Sequence, residues 1–282
     1  MTTAPQDRDH MLHPIGPSIP LAQIPGAQPR RSTGAARPVT VADPAPPSSR
    51  NALLAALPPS ERAQLLPHLG RVTLRAEETI VEAGATLRQV HFPETAVAVM
   101  QLDRGAGAGL RTVATVGAEG VVGVEAVLGQ TRAHLSAIAR IPGEATTLPV
   151  DVLRAALTTL PGLRPLLDGY LLSLLLETAR VTQCARTHGL QRRLATLLLR
   201  MEERVGADQF RITHGSLSEM LGVRRAGVTE AAARLRDLGA IGYGRRSVIV
   251  RDRAQLVAES CDCHRLLDEP MRRGGADVGD VR

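Results

Sequence analysis

The sequence contains few aromatic residues and no lysine. Among its 282 residues it has no tryptophan, two phenylalanines and two tyrosines, and all 34 basic residues are arginines. Since aromatic side chains supply much of the buried area in most cores, this core must be built from leucine, valine, isoleucine and alanine. The exclusive use of arginine, with the excess of alanine, glycine and proline, is typical of a GC-rich genome and by itself indicates no function.

Cysteines and long apolar runs are also scarce. Three cysteines, an odd number, argue against a disulfide framework. No apolar run reaches the roughly 18 residues that span a bilayer, and the N-terminus lacks the apolar stretch of a secretory signal. We therefore expect a cytoplasmic protein with reduced cysteines and no membrane partner. The net charge of +6 permits a polyanionic partner without identifying one.

The composition changes several times along the chain. Residues 1–50 hold ten of the 19 prolines and show no periodicity, which predicts a disordered tail, and residues 271–282 are a second, polar tail. Ser49 is expected to cap a short helix through Leu57. Between residues 70 and 149, short β-rich runs alternate with glycine, proline and charged turns. This pattern predicts an antiparallel sheet closed into a roll or barrel.

A long helical stretch from about residue 163 to 187 carries a regular stripe of small and apolar residues. Its members step by 4, 3, 4, 3 and 4 residues, the spacing of a helix that faces a partner helix. One alternative is an amphipathic helix packed on its own domain. The other, which the flanking domains favour, is the seam of a two-helix dimer. The stripe consists of Leu167, Leu171, Leu174, Thr178, Val181 and Ala185.

Residues 213–239 fit two short helices around a tight turn. The first runs from about residue 214 to 221 with Thr213 as its cap, and Gly222 occupies the sharp turn. The second runs from about residue 224 to 238. An apolar inner face and an outer face of short side chains would let it approach another surface closely, and the major groove of DNA admits such a helix. The inner face consists of Val228, Ala231, Ala232 and Leu235, and the outer face of Arg225, Ala226, Thr229, Glu230 and Ala233.

Two adjacent arginines stand where the second helix begins. Arg224 and Arg225 oppose the positive end of the helix dipole and replace a normal cap, at a cost of about 1 kcal/mol. A nearby phosphate or guanine edge would turn this cost into a gain, because an arginine side chain pairs with O6 and N7 of guanine. The alternative is a pair of solvated arginines at a helix end. The surrounding pattern favours contact with nucleic acid.

A basic hairpin follows directly. In "AIGYGRRSVIVRD", strand-like runs flank Arg245 and Arg246, which predicts a β-hairpin with a basic tip, or wing. From residue 211 to 253, nine arginines stand against four acids, a local excess of +5. A helix-turn-helix with a basic wing indicates binding to double-stranded DNA much more sharply than net charge alone.

Four stretches carry a family resemblance, which covers residues 51–267. The strongest is "LSEMLGVRRAGVTEAAARLRDLGAIGYGRRSVIVRD", and the others are "VGAEGVVGVEAVLG", "TQCARTHGLQRRLATLLLR" and "ESCDCHRLL". They resemble the Crp/Fnr family of bacterial transcription regulators. The resemblance implies an α+β fold: an N-terminal antiparallel β-roll sensor (51–160), a dimerisation helix (161–187) and a C-terminal winged helix-turn-helix (188–270). It also implies a homodimer that recognises a palindromic promoter site and contacts RNA polymerase.

The family's base-reading positions fall on Arg225, Ala226 and Glu230. Arg225 keeps the family's residue type, whereas Ala226 stands where a glutamate is usual and Glu230 where an arginine is often found. Alanine cannot accept a hydrogen bond from cytosine N4, although it can touch a thymine methyl. The resemblance therefore implies an operator unlike that of the best-known members.

In the sensor, the resemblance places candidate effector contacts at Glu125 and Arg132. Members that bind cyclic nucleotides resemble one another in a Gly-Glu pair for the ribose and an Arg-Ser or Arg-Thr for the phosphate. Here the runs are GVE at 123–125 and RAH at 132–134. The carboxylate is displaced by one residue, which on a strand turns a side chain to the other face. We therefore expect no cyclic nucleotide cofactor, and the effector stays unidentified.

Motifs for other chemistry are weak. "CDCH" offers Cys261, Cys263 and His264 but lacks the two-residue gap of zinc sites, and no second pair lies nearby in the sequence. We therefore expect no metal, and the role of these cysteines and of Cys184 stays open. No H-E-x-x-H, Walker A or nucleophile elbow is present, so we expect no catalytic residues and no enzyme. The remaining rival is a sensing module for a small molecule or cyclic nucleotide that acts through protein contacts.

Overall fold

The computed structural model of the 282-residue chain describes residues 42–44, 49–103 and 110–264. All of them belong to one compact unit. The predicted tail at 271–282 lies outside the described residues, and so does most of the tail at 1–50. Within the latter, Ala42–Pro44 forms strand β1, which pairs with the strand that begins at Gly70.

The first domain combines helices with two antiparallel sheets. Its helices are α1 (Ala52–Ala56), α2 (Pro59–Leu65) and α3 (Val150–Thr159). Its further strands are β2 (Gly70–Leu74), β3 (Thr79–Val81), β4 (Gln89–Pro93), β5 (Val97–Asp103), β6 (Leu110–Val116), β7 (Ser136–Ile141) and β8 (Gly143–Pro149). One sheet has the order β1-β2-β8-β4 and the other β3-β7-β5-β6.

The core of this domain is aliphatic, as the scarcity of aromatic residues predicts. Val90, Ala98 and Leu148 are fully buried, and Phe92 joins them. Strand β8 pairs antiparallel with both β2 and β4, so the chain returns to its starting strands after forming the second sheet. The predicted antiparallel β-roll is confirmed.

The cap of α1 differs from the prediction. Asn51 Oδ1, not Ser49, accepts hydrogen bonds from the first backbone amides of the helix. Ser49 Oγ donates instead to Glu94 at 2.7 Å. Asn51 is fully buried, and its Nδ2 also donates to the backbone carbonyl oxygens of Pro93 at the end of β4 and of Gly120. The prediction was wrong because a long-range packing requirement, not local cap preference, selects the capping residue.

Helix α4 (Leu163–Thr187) leaves the roll with apolar side chains on two sides. Leu167 and Tyr170 are buried in the core of the roll. Leu172 and Leu175, in contrast, expose 57% and 66% of their surface. Such a helix can pack on its own domain and still offer a face to another surface. Among the residues that the structure describes, no helix, α4 included, combines the length and hydropathy that a bilayer-spanning segment requires.

The second domain packs helices against a three-stranded antiparallel sheet. Its elements are α5 (Leu190–Val205), β9 (Gln209–Arg211), α6 (His214–Leu221), α7 (Arg225–Asp237), β10 (Ile241–Gly244), β11 (Ser247–Val250) and α8 (Arg253–Glu259). The strand order is β10-β11-β9. Leu194, Leu198 and Leu235 are fully buried in its core. This arrangement confirms the predicted winged helix-turn-helix.

A buried set of ion pairs joins the two domains, and we call Glu119, Glu177, Arg200 and Arg204 the interdomain ion cluster. Arg204 on α5 donates from Nε to Glu119 Oε1 at 2.7 Å and from Nη2 to Glu177 Oε1 at 2.9 Å. Arg200 pairs with the same Glu177 oxygen at 2.7 Å. Because Glu119 lies in the loop after β6 and Glu177 on α4, one guanidinium ties the roll, the long helix and the second domain together.

Replacement of Glu177 by glutamine should destabilise the fold. The side chain is only 12% exposed, and the change leaves two buried guanidinium groups short of a compensating charge. Breaking a buried pair in this way costs about 3–5 kcal/mol, so we expect a loss of about 3 kcal/mol in the free energy of unfolding, measured by urea denaturation. Asp168→Asn is the matched control, since it breaks an exposed pair with Arg164 on the same helix and should cost less than about 0.5 kcal/mol.

The effect of Glu177→Gln should depend on pH. Burial acts to raise the pKa of Glu177, but Arg204 and Arg200 outweigh it and hold the pKa below its ordinary value of 4.5. A group whose pKa is lowered on folding stabilises the folded state above its unfolded pKa, and this contribution is lost as pH falls through the folded pKa. The stability difference should be full at about pH 6 and should shrink below about pH 4.5. A difference that stays constant down to about pH 3 would contradict an ionised Glu177.

Candidate nucleic-acid interface

The first helix of the motif, α6, is capped and ended by its own sequence. Thr213 Oγ1 accepts a hydrogen bond from Ser216 N at 3.1 Å, which confirms the predicted cap. Gly222 ends the helix with φ of 67°, a left-handed conformation that glycine adopts without strain. Val223 N then donates to Ser218 O at 3.0 Å and closes the turn. This short turn fixes the direction in which the next helix leaves.

The second helix, α7, begins without a cap. Arg224 occupies the N-cap position in an extended conformation, makes no side-chain bond to the backbone, and is followed by no acidic residue in the first turn of this helix. Arg224 and Arg225 are both exposed. The free N–H groups and partial positive charge of the helix end therefore face outwards beside two guanidinium groups. Such an end is suited to a phosphate or another anion.

Helix α7 is buried on one side only. Its predicted inner face is confirmed, because Val228, Ala231, Ala232 and Leu235 pack in the core of the second domain. Ala226, Thr229 and Glu230 are exposed on the other side. The short side chains at 226 and 229 permit close approach of another surface, and the Glu230 carboxylate is an acceptor of the kind that pairs with cytosine N4.

His214 connects α7 to the wing, a contact that sequence reasoning missed. Its Nδ1 lies 3.1 Å from Thr229 Oγ1 on α7, and its Nε2 lies 3.1 Å from the Tyr243 hydroxyl on β10. The two rings meet edge to face at 5.4 Å. Burial and the positive charge of Arg225 lower the pKa of His214, so at neutral pH the imidazole offers one donor and one acceptor. The three bonded residues are 15 and 29 positions apart, and no spacing motif marks them.

The wing is a hairpin with a two-residue tip. Gly244 pairs with Ser247 across β10 and β11, which leaves Arg245 and Arg246 exposed at the end. Strand β9 pairs with the other edge of β11 and anchors the hairpin in the domain. Through Tyr243, the base of the tip is also bonded to His214, so the tip keeps a fixed relation to α7.

All the predicted DNA contacts lie on the surface of the second domain. Two of them already make structural hydrogen bonds within the domain: the Thr213 hydroxyl caps α6, and the Thr229 hydroxyl bonds to His214. The roles of the others in binding stay predictions. The exposed set is Thr213, Arg224, Arg225, Ala226, Thr229, Glu230, Arg245 and Arg246.

The candidate effector residues bind the chain's own backbone. Glu125 Oε1 accepts hydrogen bonds from the two backbone amides of residues 134–135, at 2.9 and 3.4 Å. Arg132 Nη1 donates to Gly84 O at 2.8 Å. Glu125 lies in the 3₁₀ turn Val124–Ala126 and not on a strand, so the expected change of strand face does not apply. An effector role for either residue stays a prediction.

The predicted dimer stripe on α4 faces mainly the roll. Leu167 is 1% exposed in the core of its own chain, and Leu171 and Leu174 pack against the same core. Thr178 is half-buried, and Val181 exposes 45% of its surface. The stripe thus serves intrachain packing at its first three positions, and Leu167 is not available to a partner. Leucines on several sides of α4 make the spacing alone ambiguous.

Three cysteines and a histidine come together from distant segments, which the sequence did not lead us to expect. Cys184 and His188 at the end of α4 meet Cys261 and Cys263 after α8, with all four candidate ligand atoms within 4.8 Å of one another. The second ligand pair that "CDCH" lacks in the sequence is therefore supplied by α4. His264, the last residue of that motif, instead lies 3.5 Å from a Glu203 oxygen.

Comparisons with known proteins agree with this geometry. The family model of the Crp-like helix-turn-helix domain matches residues 192–259. No curated protein matches the chain. Among solved structures, FixK2 from Bradyrhizobium japonicum is similar with a TM-score of 0.58 and 20% identity, over 68% of this chain and 98% of its own.

Two further solved structures show the same likeness. TTHB099, a Crp-family transcriptional regulator from Thermus thermophilus, has a TM-score of 0.54 and 20% identity over 67% of this chain and 95% of its own. CLP, the c-di-GMP-responsive global regulator of Xanthomonas campestris, has a TM-score of 0.55 and 14% identity over 68% of this chain and 99% of its own. At such identities the structures establish the fold, and the family model establishes the domain. Residues 192–259 are thus a Crp-like helix-turn-helix domain, and the chain has the fold of the Crp/Fnr transcription regulators.

Proposed function

We propose that the protein is a transcription regulator that binds double-stranded DNA through α7 and the wing. The observation that carries this proposal is the exposed, uncapped N-terminus of α7, with Arg224 and Arg225 beside it. Within its first turn the helix has no acidic side chain to offset this positive charge. A DNA phosphate or a guanine edge supplies the missing acceptor.

The bound arrangement follows from the contacts of the second domain. In helix-turn-helix proteins the N-terminal residues of the second helix contact base edges in the major groove. Arg225 then pairs with guanine, and Arg245 and Arg246 contact phosphates of the adjacent backbone. The His214 bonds to Thr229 and Tyr243 keep these two groups of contacts in register.

A homodimer on a palindromic site completes the proposal. One exposed side of α4 presents Leu172 and Leu175, large apolar residues three positions apart that solvent would otherwise contact. A two-fold interface between two copies of this helix would bury them. It would also set two α7 helices at a half-site spacing of about 34 Å, one turn of DNA.

The remaining parts of the proposal concern the sensor and the partners. Because the Glu125 carboxylate already binds backbone amides, the effector of the roll is proposed to be other than a cyclic nucleotide. Contact with RNA polymerase, a cytoplasmic location and the lack of catalysis stay predictions.

Selection from random double-stranded oligonucleotides, with the full-length protein and no added ligand, tests the function directly. We expect a two-fold symmetric site whose binding weakens with salt, with a log–log slope of about −0.9 for each phosphate contact. Binding that responds to neither salt nor sequence would contradict DNA recognition and favour a domain that serves protein contacts.

Arg225→Ala should relax specificity at one base pair of each half-site. A bidentate pair with guanine is worth roughly 1–3 kcal/mol of discrimination, so the preference for guanine there should fall by about 5–150-fold. Repeating the selection with the variant measures this. Arg164→Ala, an exposed arginine on α4, is the control and should leave every position unchanged. An equal loss of affinity on all sequences would instead identify Arg225 as a phosphate contact.

Arg245→Ala combined with Arg246→Ala should weaken binding to all sequences alike. If each side chain neutralises one phosphate, the slope of log affinity against log salt should become shallower by about 1–2. Fluorescence anisotropy over a salt series measures it. An unchanged slope would show that the wing does not touch the DNA backbone.

Leu175→Asp should dissociate the dimer. A carboxylate at a residue that exposes 66% of its surface in the single chain is tolerated in the monomer but is costly in a two-helix interface. Light scattering should report a monomer with an unchanged circular dichroism spectrum. Leu128→Asp is the matched control, since Leu128 is similarly exposed, at 58%, in the first domain, and this variant should remain dimeric. A dimeric Leu175→Asp variant would exclude this face of α4 as the seam.

A further inference from the structure

Four side chains with metal-ligand atoms form a compact cluster where α4 meets the end of the second domain. Cys184, Cys261 and Cys263 are buried, with 3–8% of their surface exposed, and His188 is half-buried beside them. All three cysteines are free thiols. We infer that Cys184, His188, Cys261 and Cys263 form a zinc site of the Cys₃His type that fastens α4 to the C-terminal end of the helix-turn-helix domain.

The distances within the cluster fit a tetrahedral ion. Sulfur and nitrogen ligands lie about 2.3 and 2.0–2.1 Å from zinc, so two ligands of one tetrahedral site are about 3.6–3.8 Å apart. Cys184 Sγ is 3.5 Å from Cys261 Sγ, and Cys263 Sγ is 3.7 Å from His188 Nδ1. With every ligand atom within 4.8 Å of the others, only small side-chain movements complete the geometry.

The backbone supports this geometry from both sides. Cys184 and His188 are four residues apart, and His188 N donates to Cys184 O at 3.0 Å, which places both side chains on one face of the last helical turn. Cys261 and Cys263 follow the end of α8 with one residue between them. The end of α4 and the segment that follows α8 therefore each contribute two ligands.

A threonine on α5 orients one of the sulfurs. Thr196 Oγ1 accepts a hydrogen bond from Cys261 N at 3.2 Å and lies 3.1 Å from Cys261 Sγ, so its own proton is available to that sulfur. The thiolate is the form that binds metal, and such supporting bonds are usual around ligands.

The surroundings also suit the charge of the site. Three thiolates around Zn²⁺ leave one net negative charge. Arg180 and Arg193 line a cavity of about 80 Å³ that borders Cys184 and Cys263. The same cavity is lined by the Glu177–Arg200 ion pair, so the charge of its lining residues is positive overall and favours an anionic site beside it.

Other uses of the same residues explain less of the geometry. A disulfide between Cys184 and Cys261 would not explain why Cys263 and His188 lie beside them. An iron–sulfur cluster holds its ligands further apart, because several iron and sulfide atoms lie between them. A single tetrahedral ion uses all four side chains at their present separations.

Metal analysis of the full-length protein tests the inference without reference to DNA binding. After removal of any affinity tag, we expect about one zinc per chain, and the His188→Ala and Cys261→Ser variants should each retain less than about a tenth of that. His68→Ala and Ser260→Ala are the controls, an exposed histidine far from the cluster and the residue before Cys261. Both controls should keep the full equivalent.

Cobalt titration uses the wild-type chain, stripped of metal under reducing conditions. Its result therefore does not depend on whether the variants fold. One equivalent should produce the intense visible bands of tetrahedral Co²⁺ and a thiolate-to-cobalt charge-transfer band, and zinc should displace both. A wild-type chain that retains no zinc and gives only the weak octahedral spectrum would overturn the site. So would a Cys184–Cys261 disulfide in protein purified without oxygen, or full zinc content in His188→Ala and Cys261→Ser.

Discussion

The relation between the two domains depends on the buried pairing of Glu177 with Arg204 and Arg200. Charged groups are taken out of water only where their partners replace the lost solvation, so the pairing imposes a specific geometry rather than a general attraction. Arg204 also pairs with Glu119 in the loop after β6. This one side chain on α5 therefore contacts both the roll and the long helix. Since α5 packs against α7 in one core, the direction in which α7 faces follows from this cluster.

At the exposed N-terminus of α7, in contrast, charges of the same sign are brought together. The N-terminus of α7 carries Arg224 and Arg225 without an acidic neighbour in its first turn, a combination that is unfavourable in the free protein. Local hydrogen bonds hold the surrounding parts: Thr213 caps α6, Gly222 ends it, and His214 bonds both to α7 and to the wing. A preformed, positively charged helix end with no acidic side chain in its first turn is the arrangement that an external polyanion stabilises.

Helix α4 is used on several sides at once. Its inner side completes the core of the roll through Leu167, and its exposed side presents Leu172 and Leu175. Its last turn brings Cys184 and His188 to the end of the second domain. Packing, the proposed association of two copies and the inferred metal site therefore share one helix.

The sequence by itself determined the elements and the local chemistry: the strands of the roll, the two helices around Gly222, and the arginines that tip α7 and the wing. These follow from periodicity and from backbone preferences within a few residues. Only the tertiary structure decided which side of α4 is buried, because leucines occur on several of its sides. It alone brought Cys184 within reach of Cys261, 77 positions away, since contacts between distant segments depend on how whole elements pack and leave no trace in local spacing.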